Sequence, residues 1–221
     1  MTYIFLAGAS RGVGREAARQ LIVAGHQVLA LLRSDDAKAD LTAMGVTTVK
    51  GDALDADAMD QIMRDYPVEA VVSTIGGVPG AKTTQADFLG NKNLIDAAVA
   101  AKAQRFILIS SIGSGNSARA LPQNVLDTLG PVLKEKARAE EHLAQSGLAY
   151  TVIRPGGLVS ESATGKEILT ADPTVAGSIP RAGVAALIVR CLESDRAINE
   201  VLSAIDLSMQ RTEKTVKVFE L

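Results

Sequence analysis

Ile4-Phe5-Leu6-Ala7-Gly8-Ala9-Ser10-Arg11-Gly12-Val13-Gly14 is the stretch on which the reading of this chain turns. Four apolar residues run unbroken into a glycine-rich turn. A helical pattern follows over 13–24 and stops at Gly25. An apolar run of this length without alternation suits a strand covered on both faces. Glycines in the turn answer three demands: a sharp change of direction, close approach of backbone to a ligand, and tight packing of helix on sheet. The helix start then offers free N–H groups and a favourable dipole to an anion. Such a string alone is weak evidence. Between a strand and a helix it points to the pyrophosphate of a dinucleotide, the bland reading being an ordinary glycine-rich turn.

The same alternation continues outward. Strands are expected over 28–32, 47–49, 70–75, 106–110, 150–153 and 201–205, with a short extra one over 168–171. Helical patterns fill 41–44, 57–64, 88–101, 133–145 and 184–192. The strands are apolar throughout, so the expectation is an α/β fold: a doubly wound parallel sheet, the Rossmann fold, in a single domain over residues 1–206. Residues 156–180 should roof a substrate pocket, and the charged tail over 207–221 should be loosely ordered. The longest irregular stretches, 113–131 and 160–179, both follow strand ends of the kind that carry ligands in such sheets.

Composition narrows the class. A chain of 221 residues with net charge −2 has no basic surface for nucleic acid or a polybasic membrane contact. Aromatic residues make up 3%, with no Trp, too few for a base-stacking platform. No apolar run reaches the length of a membrane span. The N-terminus has no basic region before its apolar run, which breaks at Gly8, too early for a signal peptide. The one cysteine, Cys191, has no internal partner, which suits a reducing, cytoplasmic setting. No Cys/His group has metal-ligand spacing, so no metal is expected. Monomer and dimer stay open.

About twenty residues beyond the glycine turn, a site for NAD usually carries an acid that binds the ribose hydroxyls. Here the second strand ends Leu31-Leu32-Arg33-Ser34. Arg33 can pair with a 2′-phosphate, and Arg11 in the turn can reach the same group, so the expected cofactor is NADP. Both arginines could instead be solvated surface cations. Asp35 and Asp36 stand close enough to serve ribose hydroxyls.

The turn is spaced G-x-x-x-G-x-G. Three further stretches are Gly51-Asp52-Ala53-Leu54-Asp55, Gly90-Asn91-Lys92-Asn93-Leu94-Ile95-Asp96-Ala97-Ala98 and Arg154-Pro155-Gly156-Gly157-Leu158. Together they resemble the atypical short-chain dehydrogenase/reductases, in the NAD(P)H-binding branch of NmrA-like proteins and biliverdin/flavin reductases. The resemblance runs to about Asp206. It implies that Gly8, Ser10, Arg11, Gly12, Val13 and Gly14 hold the cofactor phosphates. Asp52 would take the adenine amino group, with Ala53 beside it, unless it is the N-cap of the next helix. Ser73, Thr74, Ile75 and Gly76 would line a ribose, although hydroxyls at a strand end can also just satisfy backbone groups. Ser110, Lys136, Pro155, Gly156 and Leu158 would complete the cofactor site.

One expected group is missing. Most short-chain dehydrogenases carry a Tyr four residues before the site Lys, as proton donor. Lys136 is the match for the Lys, and Val132 stands where the Tyr should be. Tyr3, Tyr66 and Tyr150 lie at or before the starts of strands, at the wrong end of the sheet. His26 also precedes a strand, while His142 and Cys191 sit on helices. Ser111 and Lys136 remain as catalytic candidates. Ser111 is a poor acid but can orient a substrate. Lys136 either binds the nicotinamide ribose or is one more charge on a solvated helix face. The expectation is an NADPH-dependent oxidoreductase that passes hydride to a conjugated small molecule, a flavin, bilin or quinone, without the usual acid. The alternative is a non-catalytic NADP(H) sensor or scaffold. A shallow, aliphatic pocket under 156–180 fits the first reading.

Overall fold

The computed structural model describes residues 2–76 and 85–221. The chain alternates strand and helix as its periodicity requires. β1 (Tyr3–Ala7) leads through the glycine turn into α1 (Gly12–Val23). β2 (Val28–Leu32), α2 (Lys38–Ala43), β3 (Thr47–Lys50), α3 (Ala56–Asp65) and β4 (Val68–Ser73) complete the first half. A π-helical turn at Ala86–Gly90 opens α4 (Asn91–Ala100), followed by β5 (Arg105–Ile109) and a 3-10 turn at Gly115–Ala120. Then come α5 (Gln123–Gln145), β6 (Tyr150–Pro155), β7 (Gly157–Val159), β8 (Glu167–Thr170), β9 (Ser178–Pro180), α6 (Arg181–Leu192) and β10 (Glu200–Asp206).

Eight strands form one sheet in the order β3-β2-β1-β4-β5-β6-β10-β8. It is parallel except at its end, where β8 runs against β10. β7 and β9 pair separately as a small parallel ribbon. The order reverses between β1 and β4, and the crevice at that reversal is where doubly wound sheets bind ligands.

Alternate residues of each strand feed two cores. Ile4 and Leu6 of β1 face Ala17, Leu21, Val184 and Ile188 of α1 and α6. Phe5 faces the opposite layer, with Met59, Leu94, Ile95 and Leu143 of α3, α4 and α5. Burial on both faces is why the strands read as unbroken apolar runs. No described helix is long and apolar enough to cross a membrane.

Two expectations are corrected. Residues 113–131 are not a long irregular loop: the 3-10 turn occupies Gly115–Ala120, and α5 begins at Gln123, ten residues before the expected start. Gly130 and Pro131 lie inside α5. A proline there forfeits one backbone hydrogen bond. The first turns of α5 are largely solvated, so the unpaired carbonyl can reach water. The tail is not loose either. Val216 is buried, Phe219 and Leu221 pack on the main core, and the Phe219 N–H donates to the Leu169 carbonyl at 2.7 Å.

Candidate functional site

A cleft of about 1200 Å³ opens at the C-terminal ends of β1, β2, β4, β5 and β6. The glycine turn forms one wall. Gly8 sits at φ +94° and Gly12 at φ +57°, backbone conformations that side-chain-bearing residues rarely adopt. Gly14 is demanded by packing instead: a Cβ there would stand 2.1 Å from the Gly8 carbonyl oxygen. Arg11, at the N-cap of α1, makes no capping hydrogen bond, so no side chain closes off the helix start.

The structure brings nearly all the expected residues into this one cleft. Gly8, Ser10, Arg11, Gly12, Val13, Gly14, Arg33, Asp52, Ala53, Thr74, Ile75, Gly76, Ser110, Ser111, Lys136, Pro155, Gly156 and Leu158 all line it. Ser73 does not. It is fully buried beneath the floor and donates its hydroxyl to Asn91 Oδ1. The Thr74 hydroxyl is likewise engaged, donating to the Ala7 carbonyl at 3.0 Å, although Thr74 lines the cleft.

Asp52 is not the cap of α3. Asp55 is, accepting from the Ala58 N–H at 3.0 Å. The Asp52 carboxylate accepts from the Leu54 N–H at 3.0 Å and stays at the cleft wall. Beside it, Arg33 is exposed and makes no ion pair or hydrogen bond among the described residues. The two nearby acids turn elsewhere. Asp35 lies 3.8 Å from Lys50 Nζ, and Asp36 accepts from the Ser34 hydroxyl at 2.8 Å.

At the other end of the cleft stands Lys136, with its side chain 15% exposed and Nζ 3.1 Å from Asp87 Oδ1. Asp87 is fully buried on the π-helical turn, and its backbone carbonyl accepts from Asn91. A Cβ on Gly76 would come within 3.0 Å of Lys136 Nζ, so the ammonium abuts the strand end. Lys136 is therefore a fixed cation at the cleft wall rather than one more solvated charge. Val132 and Leu133 line the cleft one turn earlier on α5, with Leu129 beyond them.

Residues 8–195 match the NAD(P)H-binding family. The chain belongs to that family. It is similar to Protein TIC 62, chloroplastic, of Oryza sativa subsp. japonica, at 33% identity over 233 residues. That match takes in 91% of this chain and 46% of the relative, so the chain spans about half of that protein's length. It is 31% identical over 214 residues to the uncharacterized sugar epimerase YhfK of Bacillus subtilis, covering 93% of each. Among solved structures it superposes on ChuY, named as an anaerobillin reductase from Escherichia coli O157:H7. The TM-score is 0.85, with 32% identity, covering 96% of this chain and all of that one. These matches agree with the resemblance to NAD(P)H-binding short-chain dehydrogenase/reductases read from the sequence.

In this NAD(P)H-binding protein the glycine turn fits the cofactor on its own geometry. The turn admits no Cβ at Gly8 or Gly14, and the helix start behind it is uncapped. The tyrosines stay far from it. Tyr3 and Tyr150 open β1 and β6, and Tyr66 precedes β4 and meets the Tyr3 ring edge-on at 5.9 Å. His26 lies 3.7 Å from Glu193, and His142 binds Asp96 at 2.7 Å, both away from the cleft lining. Burial pushes the Cys191 thiol up to about 12, out of range of thiolate chemistry at neutral pH.

Sequence reasoning missed three groups. Arg181, first residue of α6, lines the cleft opposite Gly12. Asp87 and Glu140 shape the floor from below: Glu140 forms a buried ion pair with Arg154 at 2.6 Å and accepts from the Ser110 hydroxyl. Ser110 is therefore engaged through its hydroxyl, while Ser111 donates to the Ile112 carbonyl at 2.9 Å and stays half-exposed. No local spacing marked Asp87 or Glu140: Lys136 pairs with Asp87 and Glu140 with Arg154, both distant in sequence.

Proposed function

We propose that the protein is an NADPH-dependent reductase that passes hydride to a conjugated small-molecule acceptor, such as a flavin, bilin or quinone. The carrying observation is the character of the cleft beyond the glycine turn. It is walled by Leu129, Val132, Leu133 and Leu158, and Lys136, held by Asp87, stands on the same helix as the first three. An aliphatic wall suits a flat apolar ring system. The cleft exceeds the ~300–1,000 Å³ of an ordinary ligand pocket, which leaves room for a second molecule beside a dinucleotide.

NADPH, when bound, supplies a hydride from its nicotinamide ring. Arg33 supports the phosphate-bearing form, since among the described residues it is unpaired at the cleft wall while Asp35 and Asp36 are engaged elsewhere. The glycine turn and the start of α1 hold the diphosphate, and Asp52 takes the adenine side. Lys136 binds a nicotinamide ribose hydroxyl and, as a fixed cation, steadies negative charge gathering on the acceptor. Ser111 orients the acceptor by a hydrogen bond. The proton that completes reduction comes from water: a delocalised anion is stable enough to form before it is protonated, whereas an alkoxide needs an acid as it forms. A ketone would need an acid where Val132 stands, and oxidising a sugar alcohol would need a base there.

The test is anaerobic NADPH consumption by purified protein with a free flavin, a linear bilin or a quinone, followed at 340 nm beside the acceptor's own spectrum. Stoichiometric reduction of at least one acceptor is expected. Tight NADPH binding with no turnover on any of the three would overturn the reductase and favour the sensor.

A further inference from the structure

The residue that the cofactor reading leaves unused is Arg181. It is half-buried, lines the cleft, and makes no ion pair among the described residues. Its Nε and Cδ stand 3.7 and 3.8 Å from the point a Cβ on Gly12 would occupy. The guanidinium thus faces the turn from the opposite wall of the cleft. Its Nη1 donates to the Ser160 hydroxyl at 2.9 Å. Ser160 directly follows β7, whose Gly157 and Leu158 line the cleft. The Nε–Nη2 edge has no partner among the described residues, and that is the fork whose geometry matches two phosphate oxygens.

The two ends of this contact differ in rigidity. Arg181 is fixed at its backbone, because α6 packs against α1 through Val184, Leu187 and Ile188. Ser160 is exposed. An arginine anchored in the core and aimed at a phosphate turn, yet bonded to a surface loop, can transmit occupancy of one to the other.

We propose that Arg181 is the second half of the phosphate grip: it closes over the cofactor pyrophosphate from the wall facing Gly12 and, through Ser160, fastens the roof to the bound cofactor. This rests on the cofactor lying along the glycine turn. The grip makes the roof a product of cofactor binding, so the acceptor pocket is completed only after the dinucleotide has entered.

Calorimetric titration of NADP⁺ and NAD⁺ into wild type, Arg181→Gln and Arg181→Lys tests the grip, and hydrogen exchange over residues 157–163 tests the tether. Arg181→Gln keeps the length of the side chain and removes the charge. It should weaken both dinucleotides alike, by about tenfold to a hundredfold, the scale of a lost charge-assisted contact. Arg181→Lys should recover part of that loss. NADP⁺ should slow exchange over 157–163 in wild type, and the slowing should vanish in Ser160→Ala, whose affinity falls less than that of Arg181→Gln. Unchanged affinity of a folded Arg181→Gln for both dinucleotides would overturn the grip. Equal protection in wild type and Ser160→Ala would overturn the tether. If wild type bound neither dinucleotide, the cofactor reading itself would fall, and the grip with it.

Discussion

Gly14→Ala tests the phosphate turn at its tightest point. The added Cβ would stand 2.1 Å from the Gly8 carbonyl oxygen, 2.7 Å from its carbonyl carbon and 2.5 Å from Thr74 Oγ1. Thr74 can turn its side chain aside, at the loss of its bond to Ala7, but the backbone at Gly8 cannot move without opening the end of β1. The helix must instead withdraw from the sheet by about 1 Å, an overpacking event of the costlier kind, ~3 kcal/mol. Alanine returns ~1 kcal/mol of helix propensity. The net loss is about 2 kcal/mol, which at this chain length lowers Tm by about 4–8 °C. The same withdrawal pulls the N–H groups of α1 away from the phosphates, so dinucleotide affinity should fall by at least about tenfold, or ~1.4 kcal/mol. Gly130→Ala is the matched control. Inside α5, its added Cβ meets nothing within 4 Å among the described residues beyond its chain neighbours and its own helix backbone; the helix propensity gained is offset by crowding against Pro131, so stability should change by less than ~1 kcal/mol and binding should be left alone. Thermal unfolding and a dinucleotide titration read both variants. A Gly14→Ala protein as stable as wild type and equally able to bind would refute the claim that close helix–strand contact builds this site.

Three further outcomes are expected. Arg33→Ala should weaken NADPH by about 1.5–3 kcal/mol and leave NADH nearly unchanged, because the contact is with a phosphate that NADH lacks; equal losses in the two titrations would remove Arg33 from the phosphate. Ser111→Ala should slow flavin or bilin reduction about tenfold to a hundredfold, with no change in the pH–rate profile. A neutral pKa present in wild type and absent from the variant would instead make Ser111 part of an acid. The third concerns the tail, which the Lys214 ammonium ties down. Its hydrogen bond, with help from Thr174, lowers the Asp172 carboxyl to about 2. A folded value below the unfolded one stabilises above the ordinary carboxylate range and is lost as pH falls through it. Exchange protection of residues 207–221 should therefore decline between about pH 4 and about pH 2, and Asp172→Asn should show the weakened tail already at neutral pH. Protection that holds to pH 2 would refute this linkage.

The strands from β1 to β6 and the phosphate turn were legible because each depends on local sequence. An unbroken apolar run marks a strand buried on two faces, and a glycine cluster marks a backbone that must come close to something. The distance of the tyrosines from the turn was readable too, since three are few enough to place one by one. What escaped depends on neighbours distant in sequence. Gly130-Pro131 reads as a break, yet the helix passes through because its early turns can hand a carbonyl to water. The tail reads as charged, yet Val216, Val218 and Phe219 supply enough apolar surface to dock it. Arg181 sits 169 residues from the Gly12 it faces, and no local pattern pairs the two. Asp87 and Glu140 carry charge into the interior, and without their partners Lys136 and Arg154 they look like surface residues.

The docked tail has a bearing on aggregation. A parallel sheet ends in two rows of unpaired N–H and C=O groups, and such rows recruit strands from other chains. Here the β8 end is met by the tail, whose Phe219 N–H takes the Leu169 carbonyl. The opposite end is β3, four residues long with Lys50 exposed, too short and too charged to template a neighbour. Both margins of the sheet are thus blunted, one by covering and one by brevity. Stripping the tail in acid would uncover the first of them, so the pH at which the clasp opens is also the pH at which this protein should begin to cross-pair with its own copies.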